Sequence, residues 1–461
     1  MATTRILIAG DDPSLLASLA PVLEDEGHVP VVASSPQDAI ARLSEGGISL
    51  VLQDLGAVSG ASGGQGPELL ARMLRSRPHL PVLAITAWES TELGVAAVKA
   101  GAADFITAPW SRAQLVQAVR TALDLAACRR GGPPPAQLAR RELDAHYDFN
   151  GIVGESRRLL EVLDLIGRVS ATDASVLVTG ESGTGKGTIT RAIHRNSPRR
   201  KRKLVRVDLA GLPYTRFSSE MLGYSRRAFA DARRHHRGRL SVAAGGTLHL
   251  DHVGEVDMRS QVTLLRVLQD RAYQPLESPT SKELDVRVVS TSDRDLAQAV
   301  ANGSFREDLL CRLALVSVHL PRLADRREDI PLLASHFLRS ARSSCGRAAQ
   351  ALSSSAMAWL QEQEWPGNVR QLEILVERAA LVAGVSTLRP EDLVRTSAMD
   401  HGPDVFPRRR SPEDMARDAV DRALIERTLQ LHGGNLSQAA AALGLSRASL
   451  HRRIAKHGIE I

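Results

Sequence analysis

The sequence predicts a multidomain fold: an α/β domain on a five-stranded parallel sheet, a second α/β domain with a helical subdomain, then an all-α domain that ends in a helix-turn-helix. Three observations predict it. Short apolar runs alternate with Leu- and Ala-rich helical patterns over residues 4–127 and again from about 149 to 320. Polar stretches rich in Pro, Gly and Arg separate the blocks. Residues 413–461 show helical spacing only. A chain of 461 residues is also too long for one compact core.

In the first block the apolar runs are Arg5–Gly10, Val29–Ala33, Leu50–Gln53, Pro81–Thr86 and Asp104–Thr107, which predict a five-stranded parallel sheet in a domain spanning 1–127. Arg129-Arg-Gly-Gly-Pro-Pro-Pro135 opens a stiff, polar linker over 128–148. The second block is α/β over 149–320 and helical over 321–385, with helical spacing around Ile330–Leu338 and Gln371–Leu381. A second linker, 386–412, contains His401-Gly-Pro403 and Pro407-Arg-Arg-Arg410.

The last block reads helix by helix. Glu413–Leu431 carries Met415, Val420, Leu424, Ile425 and Leu429 on one stripe. His432-Gly-Gly-Asn435 stops that helix, and Asn435 can cap the next. Leu436–Leu443 is an Ala-rich helix, Gly444 turns the chain, and Ser446 caps a third helix that exposes Arg447, Ser449, His451, Arg452 and Arg453. A short helix, a Gly turn and a basic helix start form the geometry that docks in the major groove of double-stranded DNA. A helical oligomerisation tail with a solvated charged face is the plainer alternative.

Composition sets bounds on the function. Lys and Arg number 59 against 52 acids, a net charge of +7 that suits a polyanionic partner without selecting one. Three cysteines without a CxxC pair point to a reducing compartment, and no segment reads as a signal peptide or a membrane span. A cytoplasmic protein with no membrane partner is the expectation.

Two sites carry chemistry. Ser175-Val-Leu-Val-Thr179 is a strand, and Gly180, Glu181, Ser182, Gly183, Thr184, Gly185 and Lys186 follow it as a phosphate loop. Backbone N–H groups there approach phosphates, and Lys186 supplies a cation. Gly187 stands where a Ser or Thr is usual, with Thr188 next. Gly245-Gly-Thr-Leu-His-Leu-Asp251 is a second strand, ending in a carboxylate for Mg²⁺. These features predict ATP or GTP binding. In the first domain Asp11 and Asp12 follow the first strand, Asp54 ends the third and Thr86 the fourth. Carboxylates meeting at the carboxyl edge can hold Mg²⁺ and accept a phosphoryl group, or can simply cap helices.

These motifs resemble known families, each over most of its block. Residues 4–127 resemble response-regulator receiver domains of two-component phosphorelay systems: Asp54 matches the phosphoacceptor, Asp11 a metal ligand and Thr86 the switch residue. Residues 150–385 resemble the AAA+ domain of sigma-54-dependent (NtrC-like) activators, with a helical lid. In Phe305-Arg-Glu-Asp-Leu-Leu-Cys-Arg-Leu313 the resemblance implies arginine fingers at Arg306 and Arg312, directed at a neighbouring subunit's γ-phosphate. In Trp365-Pro-Gly-Asn-Val-Arg-Gln-Leu372 it implies a nucleotide contact at Arg370. Gly433–Ile454 resembles the Fis-type helix-turn-helix, whose preceding helix dimerises. The implied cofactors are ATP and Mg²⁺. The implied partners are a cognate histidine kinase, RNA polymerase with sigma-54, and further copies of the chain as a dimer and then a ring.

The departures from the family patterns bear on turnover. His252 stands where the family has the Glu that activates water, and Asp293 where its first sensor has Asn. The sigma-contact loop reads Arg227, Ala228, Phe229, Ala230, Asp231, Ala232, with Arg for the first Gly and Ala230 for the contact Thr. In the receiver-like block Gly10 replaces an acid and Ala108 replaces the phosphoryl-pairing Lys. Two readings follow. One is an ATP-driven sigma-54 activator; the other is a regulator that binds ATP and DNA without turnover, as a repressor or independently of sigma-54. His252, Asp293, Arg227, Ala230 and Ala108 support the second reading, and Asp251, His252 and Asp293 are the catalytic positions in question.

Overall fold

The computed structural model describes residues 4–10, 12–56, 65–87, 91–130, 139–224, 236–344, 351–382 and 385–398. The first five strands form one parallel sheet. They are β1 (Arg5–Ala9), β2 (Val29–Ala33), β3 (Ile48–Asp54), β4 (Val82–Ala87) and β5 (Asp104–Ala108), in the order β2-β1-β3-β4-β5. Helices α1 (Pro13–Asp25), α2 (Pro36–Glu45), α3 (Gln65–Ser76), α4 (Thr91–Lys99) and α5 (Arg112–Arg130) connect and cover it. Strands buried on both faces need continuous apolar runs, and β1 meets that need with Leu7 in one core and Ile6 and Ile8 in the other. Asp12 caps α1 by accepting from the Ser14 amide at 2.8 Å, just before Pro13.

Within the expected first linker, α5 runs on to Arg130 and α6 (Arg140–His146) forms a further helix. Its single apolar anchor, Leu143, is buried with Phe149 beside α7 (Arg157–Ser170). One apolar residue in a charged turn gives no periodicity to read.

The central sheet is parallel, in the order β14-β6-β13-β10-β7. In chain order it is built from β6 (Val176–Thr179), α8 (Lys186–Arg195), β7 (Leu204–Asp208), α9 (Tyr214–Leu222), β8 (Gly223–Tyr224), β9 (His236–Arg237), α10 (Arg239–Ala243) and β10 (Thr247–Asp251). Then come α11 (Met258–Asp270), β11 (Ala272–Tyr273), β12 (Lys282–Glu283), β13 (Arg287–Ser292), α12 (Leu296–Ala301), α13 (Glu307–Leu313) and β14 (Val316–His319). The small strands form two antiparallel pairs, β8 with β9 and β11 with β12. Helices α14 (Ile330–Ser344), α15 (Ser354–Glu362) and α16 (Asn368–Val382) follow, with β15 (Ala351–Leu352) paired in parallel to β16 (Thr387–Leu388). Helix α17 (Pro390–Ala398) lies within the expected second linker. Among the described residues, no helix is long and apolar enough to cross a membrane.

The N-terminal sheet domain rests on helix α13. Lys99 pairs with Glu307, Arg312 Nη1 donates to Asp104 Oδ1 at 3.1 Å, and the Arg312 guanidinium lies 4.2 Å from the centre of the Phe105 ring.

Candidate nucleotide and phosphoryl sites

The phosphate loop leaves β6 near the middle of the central sheet and ends in α8, so its amides sit at a helix N-terminus beside the carboxyl edge. Gly183 has φ +79°, and a Cβ there would stand 2.1 Å from the Gly367 carbonyl; the lid backbone comes that close only because the residue is glycine. The lid holds the loop directly. Asn368 Nδ2 donates to Glu181 Oε2 at 3.0 Å and to the Ser182 carbonyl at 3.1 Å, while its Oδ1 accepts from the Leu323 amide at 2.8 Å. The buried Arg326 donates to the Thr184 carbonyl at 3.1 Å. The Arg370 amide donates to the Gly183 carbonyl at 3.3 Å, and its side chain is exposed.

Lys186 Nζ donates to the Gly180 and Glu181 carbonyls at 2.8 and 3.0 Å. Burial holds its ammonium below the ordinary lysine value, while Asp293 and Asp251 pull it back up. Thr188 Oγ1 accepts from Arg191 at 2.9 Å, and around Gly187 there is open space. Beside the loop lies a cleft of about 280 Å³, lined among others by Ile152, Val153, Leu320, Phe337 and Val369. Apolar walls next to a phosphate loop suit a purine ring.

The neighbouring strand ends carry a charged cluster. Arg206 pairs in register with His249 and Asp208 with Asp251, so all four project from one face. Asp251 Oδ1 accepts from the Thr291 hydroxyl, and its Oδ2 accepts from Arg206 Nε at 2.9 Å. Burial works to raise the Asp251 carboxyl, but Thr291, His249 and Arg206 outweigh it and hold it below the usual carboxylate value. Burial drives the His249 imidazole down to about 4. His252 Nδ1 lies 2.9 Å from Asp208 Oδ1; burial works to raise that carboxyl, but His252 and the Ala210 amide together outweigh it and hold it low. His252 itself has φ +55°, in the left-handed region. Asp293 is exposed. Arg306 donates to Asp308 at 3.0 and 2.7 Å, so both expected fingers are engaged within their own chain.

In the N-terminal domain Asp54 Oδ1 accepts from the Gly56 amide at 3.0 Å. A Cβ at Gly10 would stand 2.8 Å from the Asp54 Cβ, so the strand ends approach closely because no side chain intervenes. Thr86 is buried at the end of β4, its Oγ1 without a hydrogen-bond partner among the described residues. Asp11, the loop Arg227–Ala232, and Arg447, Ser449, His451, Arg452 and Arg453 lie outside the described residues.

Sequence reasoning missed Asn368, Arg326, Arg206, Asp208, Thr291 and His249. Asn368 sits inside a stretch already singled out, two residues before Arg370. Arg206 and Asp208 alternate with apolar residues along a strand, a signal for one face and not for a site.

A receiver-like sheet beside a phosphate-loop domain with a helical lid defines a multidomain protein with a candidate nucleotide site. The sequence profile described as "Sigma-54 interaction domain" matches residues 152–319, "AAA+ ATPase lid domain" 324–404, "Response regulator receiver domain" 6–120 and "Bacterial regulatory protein, Fis family" 416–457. The chain is 35% identical over 456 residues to the transcriptional regulatory protein GlrR of Escherichia coli (strain K12), covering 99% of this chain and 97% of that one. It is 33% identical over 464 residues to the nitrogen assimilation regulatory protein NtrX of Azorhizobium caulinodans, covering 98% and 99%. A crystal structure of NtrX from Brucella abortus in complex with ATP superposes with a TM-score of 0.51 at 29% identity, covering 99% of this chain and 100% of that one. The chain belongs to the sigma-54-dependent response regulators, two-component transcriptional regulators with receiver, nucleotide-binding AAA+ and DNA-binding Fis-type domains.

Proposed function

We propose that this regulator couples phosphorylation of Asp54 and occupancy of the 180–188 loop by ATP to its action on sigma-54 RNA polymerase at a double-stranded DNA site. The observation that carries it is the loop itself: Lys186 and the amides of 180–188 at the start of α8, next to Asp251 and gripped by the lid through Asn368. A cognate histidine kinase supplies the phosphoryl group to Asp54, with Asp11 and Asp54 as the residues for Mg²⁺ there and Thr86 as the switch. Residues Arg227–Ala232 meet the polymerase and Arg447, Ser449, His451, Arg452 and Arg453 read the DNA. The chain works as a homodimer that assembles into a ring, in a cytoplasmic setting. Arg306 and Arg312 serve a neighbouring subunit's nucleotide once they leave Asp308 and Asp104, which makes release of α13 from the receiver domain a condition of assembly.

Turnover is slow in this reading. His252 occupies the position of the water-activating Glu, with its Nδ1 engaged by Asp208. A positioned base contributes roughly 10²–10⁴-fold. Steady-state ATP turnover of the purified chain beside its His252→Glu variant tests this: the variant is expected to be at least about tenfold faster. A parent as fast as the variant would overturn slow turnover. Family membership over the whole chain weighs against action independent of sigma-54.

A further inference from the structure

The central site does not fit a divalent cation held by the chain. Asp293 and Asp251 are the carboxylates that act on Lys186; Asp293 is exposed, and Asp251, the acid that ends β10, has both oxygens taken: Oδ1 by Thr291, Oδ2 by Arg206 through Nε at 2.9 Å and Nη2 at 2.5 Å. Asp208, the second acid on that face, is tied to His252 at 2.9 Å. The residue after Lys186 is Gly187, which has no hydroxyl to offer a metal. Among the described residues no group of three or more His, Cys, Asp or Glu is arranged to hold a metal ion.

The positive charge at Asp251 is already present, as a guanidinium. We propose that Arg206 supplies from within the chain the charge that a divalent cation would bring to Asp251, so that ATP and ADP bind this site without Mg²⁺. A bare Asp251 beside the loop would repel the phosphates of an incoming nucleotide. Arg206 neutralises it, and the geometry suits the task. It stands on β7, the edge strand next to β10, with its side chain 61% exposed while that of Asp251 is 10% exposed. It reaches in from solvent to the buried acid with Nε and Nη2. Nη1 has no partner among the described residues and remains available to an anion.

The proposal rests on reading 180–188 as the nucleotide loop, and its test separates the two. ADP and ATP are titrated calorimetrically into the full chain in excess Mg²⁺ and in EDTA. The parent is expected to change its Kd by less than about threefold, while Arg206→Ala weakens at least about tenfold in EDTA and recovers with Mg²⁺. Arg206→Gln keeps most of the stem and gives the same readout where the alanine variant fails to fold. A parent that loses tenfold or more in EDTA, or variants that bind there as well as the parent, overturns the role of Arg206 alone. A parent that binds in neither buffer, or no more tightly than its Lys186→Ala variant, overturns the nucleotide reading and the proposal with it.

Discussion

Lys186 is the residue whose neighbours say most about the site. Its ammonium is buried and satisfied by two carbonyls of its own loop, so a nucleotide exchanges those bonds for charge-assisted ones to phosphate. Lys186→Ala is expected to weaken ATP about 10–100-fold by calorimetry, the equivalent of one charge-assisted bond. His194 is a second informative residue. Its Nδ1 lies 2.9 Å from the Thr247 hydroxyl, and burial holds the imidazole below its ordinary value of 6.5, helped by Arg287. A lowered folded value means the unfolded chain binds the proton first, so stability is lost as pH falls below about 6.5. Thermal midpoints of the central domain should drop between pH 7 and pH 5, and less steeply in His194→Gln; His249 keeps part of the slope. Equal slopes in parent and variant would remove His194 from the account. The motif letters of the loop were legible because chemistry demands them at one spacing. Asn368, which pins that loop to the lid 187 positions away in the chain, became visible only once α16 was placed.

At the scale of elements, helix ends decide much of the packing. Arg287, at the start of β13 and fully buried, donates to the Ser170 and Val169 carbonyls at 2.7 and 3.0 Å and so terminates α7. Burial pushes its guanidinium down to about 10, a sign of how completely it is withdrawn from water. Arg287→Met leaves those carbonyls without donors and should cost about 2–4 kcal/mol, read as a lower melting temperature of the central domain. An unchanged melting temperature would mean water replaces the guanidinium. A partly buried pair also ties α13 to the receiver sheet. Asp104→Ala should speed amide exchange in α13 about fivefold, the equivalent of ~1 kcal/mol, and unchanged exchange would show that Arg312 does not restrain that helix. Helix α6 was illegible for the opposite reason: its one anchor, Leu143, gains meaning only from the pocket beside α7.

At the scale of the whole molecule, the domains meet different partners, and their chemistry can be tested apart. DNA affinity should fall with salt, and Arg447→Ala or Arg452→Ala should each reduce the slope of log K against log salt by about 0.9. Unchanged binding in both variants would relocate the recognition helix. The sequence by itself determined the classes of domain and their order, because strand-helix alternation, a phosphate loop and a helix-turn-helix are local patterns written in consecutive residues. It also exposed the departures at Gly10, Ala108, His252 and Asp293, since a departure is read one position at a time. Tertiary structure alone decided what those residues meet. Arg206 and Asp251 come from neighbouring strands 45 positions apart, and Arg312 and Asp104 from separate domains 208 apart. Charge pairing at that separation follows from which strands and helices are neighbours, and no local pattern encodes that.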